Sequence, residues 1–146
     1  MSIRLNLDSG FQKMIKDIEL SQNDVKRVAN ACIHESANVM QTELKSAIVG
    51  ASPPLSGSLA SQLPAPKVTA SGDVFEAKVG YESTAYNPRN LSSYHKALFA
   101  NYGTPYRRYH GKERKRGFIP KAKRRAKPRI KKAQETAFKK ILARLK

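Results

Sequence analysis

The chain has 146 residues, a formal net charge of +17, 40% hydrophobic residues and one cysteine. That length fits one domain. The lone Cys32 excludes an intramolecular disulfide and a cysteine-based zinc site. The longest uncharged run, residues 46–66, contains four prolines and two glycines, which excludes it as a membrane span. The first residues, "MSIRLNLDSGFQKM", have no apolar stretch behind their charges and do not read as a secretory signal. A soluble protein made in a reducing cytoplasm is the expectation. Charge is distributed unevenly. Residues 1–100 carry ten basic and nine acidic side chains, whereas residues 101–146 carry eighteen and two. A nearly neutral body bearing one strongly basic element is implied.

In chain order, Phe11, Met14, Ile15 and Ile18 recur at helical steps and predict a short first helix after Asp8 or Ser9. A long amphipathic helix follows, with Ser21 and Asp24 as a capping pair and Gly50 as its stop. Its apolar stripe runs through Val25, Val28, Cys32, Ile33, Met40, Leu44 and Ile48, while Lys26, Arg27, Glu35, Glu43 and Lys45 are assigned to the solvent side. The Pro-, Gly- and Ser-rich run 52–66 reads as a loop. Val68, then Phe75, Ala77 and Val79, alternate with polar residues about a Ser71-Gly72-Asp73 turn, which predicts a β-hairpin or two adjacent strands. Leu91, Tyr94, His95, Leu98 and Phe99 give a further helix, ended by Gly103. Pro128 is expected in the first turn of a last helix whose stripe is Ile130, Ala133, Ala137, Phe138, Ile141, Leu142 and Leu145.

Reactive groups are sparse. His34, His95 and His110 lie far apart, and none pairs with another at ligand spacing. Cys32 lies among apolar neighbours and reads as a core residue. No phosphate-binding glycine loop or nucleophile elbow occurs, so no enzyme is expected and no cofactor is called for. The basic stretch leaves two readings open. Arg107, Arg108, Arg114, Lys115, Arg116, Lys121, Lys123, Arg124, Arg125 and Lys127 could neutralise nucleic-acid phosphates, with Tyr102, Tyr106, Tyr109 and Phe118 available to stack on bases. The same charges could instead be solvated or face an acidic protein.

The order of three motifs is similar to the gene-product-ten-like tail-component family of lambdoid siphophages, proteins of the head–tail junction. The family's Pro-x-x-Thr-Gly-x-Leu loop reads Pro53-Pro54-Leu55-Ser56-Gly57-Ser58-Leu59 here, with Ser56 in place of threonine. Its Glu-aromatic-Gly-Thr segment reads Asn101-Tyr102-Gly103-Thr104, with Asn101 in place of the acid. Its last helix opens here on Ala126-Lys127-Pro128-Arg129-Ile130, followed by Ala133. The matched residues are structural ones: glycines for turns, Pro128 for the helix start, Ile130 and Ala133 for its core stripe.

The resulting expectation is one α+β domain over 1–146: a long N-terminal helix and a C-terminal helix on a small, mainly antiparallel sheet. Residues 105–125 would be a basic extended arm inserted before the C-terminal helix, ordering only in the assembled particle. The resemblance implies a neck or tail-completion protein in a homo-oligomeric ring, expected to be a hexamer. It would contact head-completion and tail-terminator or tail-tube proteins, with packaged DNA a further candidate partner. It would reside in the virion and, during assembly, in the host cytoplasm. The rival is a small basic nucleic-acid-binding module, which would carry its charge over a folded face.

Overall fold

The computed structural model describes residues 2–7, 13, 21–51, 57–72, 74–102 and 117–145. Seven elements follow in order: β1 (Ser2–Asn6), α1 (Gln22–Val49), α2 (Gly57–Ser61), β2 (Lys67–Ser71), β3 (Val74–Gly80), α3 (Ser93–Tyr102) and α4 (Phe118–Leu145). The fold is α+β, as expected. Of the stretch predicted as a first helix, Lys13 alone is described.

The sheet is antiparallel in the order β1-β3-β2. Its central strand is β3, because Phe75, Ala77 and Val79 alternate with Glu76 and Lys78 and give it one apolar face. In register, Ile3 faces Val79 while Leu5 and Val68 flank Ala77, so these side chains share one layer. The predicted hairpin is present, and Gly72 adopts φ 59° in its turn, a conformation that favours glycine. The N-terminal strand β1 was not anticipated.

Helix α1 begins as predicted. Ser21 Oγ accepts the Asp24 N–H at 3.2 Å and donates to its carboxylate at 2.6 Å. One face of α1 packs on the sheet through Ile33, Met40 and Leu44, in a cluster with Ile3, Ala77 and Val79. Another face packs on α4. Cys32 Sγ lies 3.5 Å from the Gln134 carbonyl, Ser36 accepts from Gln134 at 2.8 Å, and Glu43 meets Arg129. Residue numbers rise on one helix as they fall on the other, so the two are antiparallel. Ala122, Ala126 and Ala137 line the α4 side of this seam and permit close approach.

Two sequence readings are corrected here. The run 52–66 is not wholly a loop: α2 lies within it, and Leu59, Ala60 and Leu63 enter the core. The larger correction concerns α4, which starts at Phe118 rather than near Pro128. Residues 118–125, expected in an extended arm, are therefore helix in the lone subunit. Phe118 and Ile119 are buried, and burying each contributes roughly 1.5–3 kcal/mol. An internal proline costs roughly 3 kcal/mol, so core burial outweighs Pro128. That residue is exposed, leaving water free to satisfy the Arg124 carbonyl whose helical donor it removes. The proline of the first turn is Pro120.

The start of α4 is fastened to the end of α3. Gly117 adopts φ 60° and donates its N–H to the Asn101 carbonyl at 3.1 Å. Glycine has no capping side chain, and Asn101 supplies one from α3, its Oδ1 accepting the Ile119 N–H at 3.0 Å. Asn101 is 1% exposed. The described residues on either side of 103–116 thus meet at one pinned point.

Candidate functional site

Among the described residues the reactive groups remain apart, and His110 lies outside them. Cys32 is buried within the α1–α4 seam, and burial, aided by Glu35, pushes its thiol up to about 11. It is neutral at ordinary pH and a poor nucleophile. His34 is exposed on α1. His95 is buried at the start of α3, its Nδ1 3.0 Å from Ser92 Oγ, with the rings of Tyr86 and Tyr94 edge-on at 5.2 and 5.0 Å. Ser92 Oγ also accepts the His95 backbone N–H at 3.4 Å and lies 2.6 Å from Thr84 Oγ1. That arrangement caps a helix rather than activating a hydroxyl. Among the described residues no group of three or more His, Cys, Asp and Glu could hold a metal ion, and no helix is long and apolar enough to cross a membrane.

Cations dominate the surface of α4. Lys123, Arg124, Arg125 and Lys127 are exposed along it, and Lys121 is half-buried. The same helix adds exposed Lys131, Lys132, Lys139, Lys140 and Arg144, with Glu135 its only acid. Five of the predicted binding residues, Arg107, Arg108, Arg114, Lys115 and Arg116, lie outside the described residues. The charge on the described part of the basic stretch is therefore displayed on a folded, packed helix. Successive lysines four residues apart rise about 6 Å, within the ~8 Å Debye length at physiological salt, so their fields add.

One cation is committed internally. Arg129 reaches across the seam to the carboxylate of Glu43, which is 4% exposed and not on the solvent side as its charge suggested. An ionised carboxylate buried there requires a partner, and the antiparallel register brings Arg129 to it. Just after β3, burial pushes the Tyr81 phenol up to about 12, and its hydroxyl donates to the Leu59 carbonyl. A hydrogen bond from Lys67 holds the exposed Glu82 carboxyl below its usual range.

The motif residues have distinct structural fates. Leu59 is buried, tying α2 to the core. Gly57 is the first residue of α2. Tyr102 ends α3 and is 59% exposed. Ile130 and Ala133 are half-buried on α4. Pro53, Ser56, Gly103 and Thr104 lie outside the described residues.

Two grooves border α4. One, of about 580 Å³, runs between α1 and α4 past His34, Arg129, Lys132, Lys140 and Arg144. The other, of about 660 Å³, runs between β1 and α4. Sequence reasoning missed Asn101, Glu43 and the β1 side of this second groove. The only legible signal for the first was its substitution for the acid in the Asn101-Tyr102-Gly103-Thr104 motif. Comparisons with models of known families, with curated proteins and with solved structures found no match to this chain.

Proposed function

We propose that this chain is a structural protein of the siphophage head–tail junction. As a neck or tail-completion component, it closes into a homo-oligomeric ring, taken as a hexamer, that joins the tail to the DNA-filled head. It acts without turnover or cofactor, in the virion and in the host cytoplasm during assembly. The carrying observation is the order of the three motifs, together with the architectural use of their described residues. Leu59 anchors α2, Asn101 fastens α3 to α4, and Ile130 and Ala133 continue the α4 stripe.

A ring needs heterologous contacts, one surface of a subunit meeting a different surface of the next. Residues 103–116, whose described flanks are joined at Asn101 and Gly117, are the candidate for one such contact. Native mass spectrometry and electron microscopy of the protein, alone and with head-completion and tail-tube proteins, test the reading. A multiple-copy ring at the junction is the expected result. A single copy there, or infectious particles lacking the protein, would overturn it.

A second reading, a basic nucleic-acid-binding module, is favoured by one specific observation. The cations of α4 decorate a folded face rather than an unstructured arm. Duplex DNA affinity that falls linearly with log salt, with a slope near the number of phosphates neutralised, in a protein that never enters a particle would favour this reading over the neck.

A further inference from the structure

Strand β1 is an edge. It pairs with β3 on one side, and among the described residues no strand pairs with its other side. Such an edge presents a row of N–H and C=O groups able to template another strand. The groove beside it is lined by consecutive β1 residues, Ile3 to Asn6, so it follows the strand's edge rather than one face. Its opposite wall is α4, through Lys123, Lys127 and Lys131, with Met40 and Ile130 supplying apolar surface. Arg4 also lines it, ion-paired with Glu76 at 3.8 Å, and among the described residues no carboxylate lines the groove.

The spacings of the two walls agree. Lysines four residues apart on a helix rise about 6 Å. Same-side residues of a strand, two apart, repeat at roughly 6.6 Å. A strand laid along β1 with an acid at every second position would meet one lysine per acid, over the roughly 12 Å from Lys123 to Lys131. We propose that the β1 edge and the Lys123–Lys127–Lys131 row bind an extended acidic segment of another protein as a fourth strand of the sheet.

Lysines beside an edge also blunt self-association, and the two roles are compatible. A row of cations repels a second copy of so basic a chain while attracting an acidic strand. Nucleic acid satisfies the lysines equally well but has no backbone amides to pair with β1. The groove's chemistry is independent of the neck assignment.

The test uses the full chain, isotopically labelled, and two short synthetic peptides of equal composition. One alternates Glu with Val; the other groups its glutamates at one end. Duplex DNA is the third probe. The alternating peptide is expected to bind about tenfold more tightly than its isomer, to shift the amides of Ile3–Asn6 and to slow their hydrogen exchange. Replacing Lys123, Lys127 and Lys131 together by Ala is expected to weaken it about tenfold, three exposed pairs each contributing a fraction of a kcal/mol. These lysines are exposed, so the variant should melt as the parent does. No binding, equal affinity for the two isomers, or DNA and peptide perturbing only α4 without protecting β1 amides would each overturn the proposal.

Discussion

Two excisions that differ only at their borders should behave in opposite ways. Replacing residues 103–116 by a short Gly/Ser linker removes chain between two points already joined, since the Gly117 N–H reaches the Asn101 carbonyl at 3.1 Å. Shortening that closure from fourteen residues to about four should stabilise the fold by roughly 1 kcal/mol. Replacing residues 105–125 instead removes Phe118, Ile119 and Ala122, all in the core cluster. Loss of the first two side chains alone costs about 5–10 kcal/mol by analogy with truncation to Ala, and the Asn101 cap loses its helix as well. Typical domains are stable by only about 5–15 kcal/mol, so this variant should be largely unfolded. Urea and thermal melts followed by far-ultraviolet circular dichroism distinguish the two. Equal midpoints for both excisions would refute the account of where α4 begins and what anchors it.

Other expectations follow from single contacts. Asn101→Ala should lower stability by about 1–2 kcal/mol through the lost cap and the buried Ile119 N–H left without its acceptor, read as a shift in urea midpoint. Arg129→Ala should cost about 1–3 kcal/mol, moderated by the exposure of Arg129 but aggravated by the buried Glu43 carboxylate; in a double-mutant cycle, prior Glu43→Gln should remove much of that loss. Alkali should destabilise the protein. The Cys32 thiol, ordinarily near 9, is held up to about 11 and the Tyr81 phenol, ordinarily near 10, up to about 12. Between those values the native chain holds more protons than the unfolded one, so stability falls as pH rises, by at most about 3 kcal/mol per group. Cys32→Ala should flatten the lower part of that decline in melting temperature, and an unchanged slope would refute the assignment.

Local signals determined much of this protein. Ser21, Asp24 and a long three–four periodicity specify α1, and alternation about Ser71-Gly72 specifies the β2–β3 hairpin, because cap, stripe and turn are properties of neighbouring residues. The apolar periodicity of α4 was also present from Phe118 through Ala122 and Ala126 to Ile130. Pro128 and the dense Lys and Arg between those positions obscured it, since charge and proline both argue locally against a buried helix. Only the tertiary structure decided the outcome, by supplying the α1 surface against which that stripe is buried. The same is true of Glu43, whose charge argues for solvent until the antiparallel register brings Arg129 across, and of Asn101, whose cap serves a helix sixteen residues away from it in sequence at Gly117. Strand β1 is five residues long, as β2 is, and alternates Ile3 and Leu5 with Arg4 and Asn6, but it has no adjacent turn and partner strand to mark it as half of a hairpin; its partner, β3, is about seventy residues away in sequence. Contacts between residues distant along the chain have no local signature; they depend on which surfaces packing brings together.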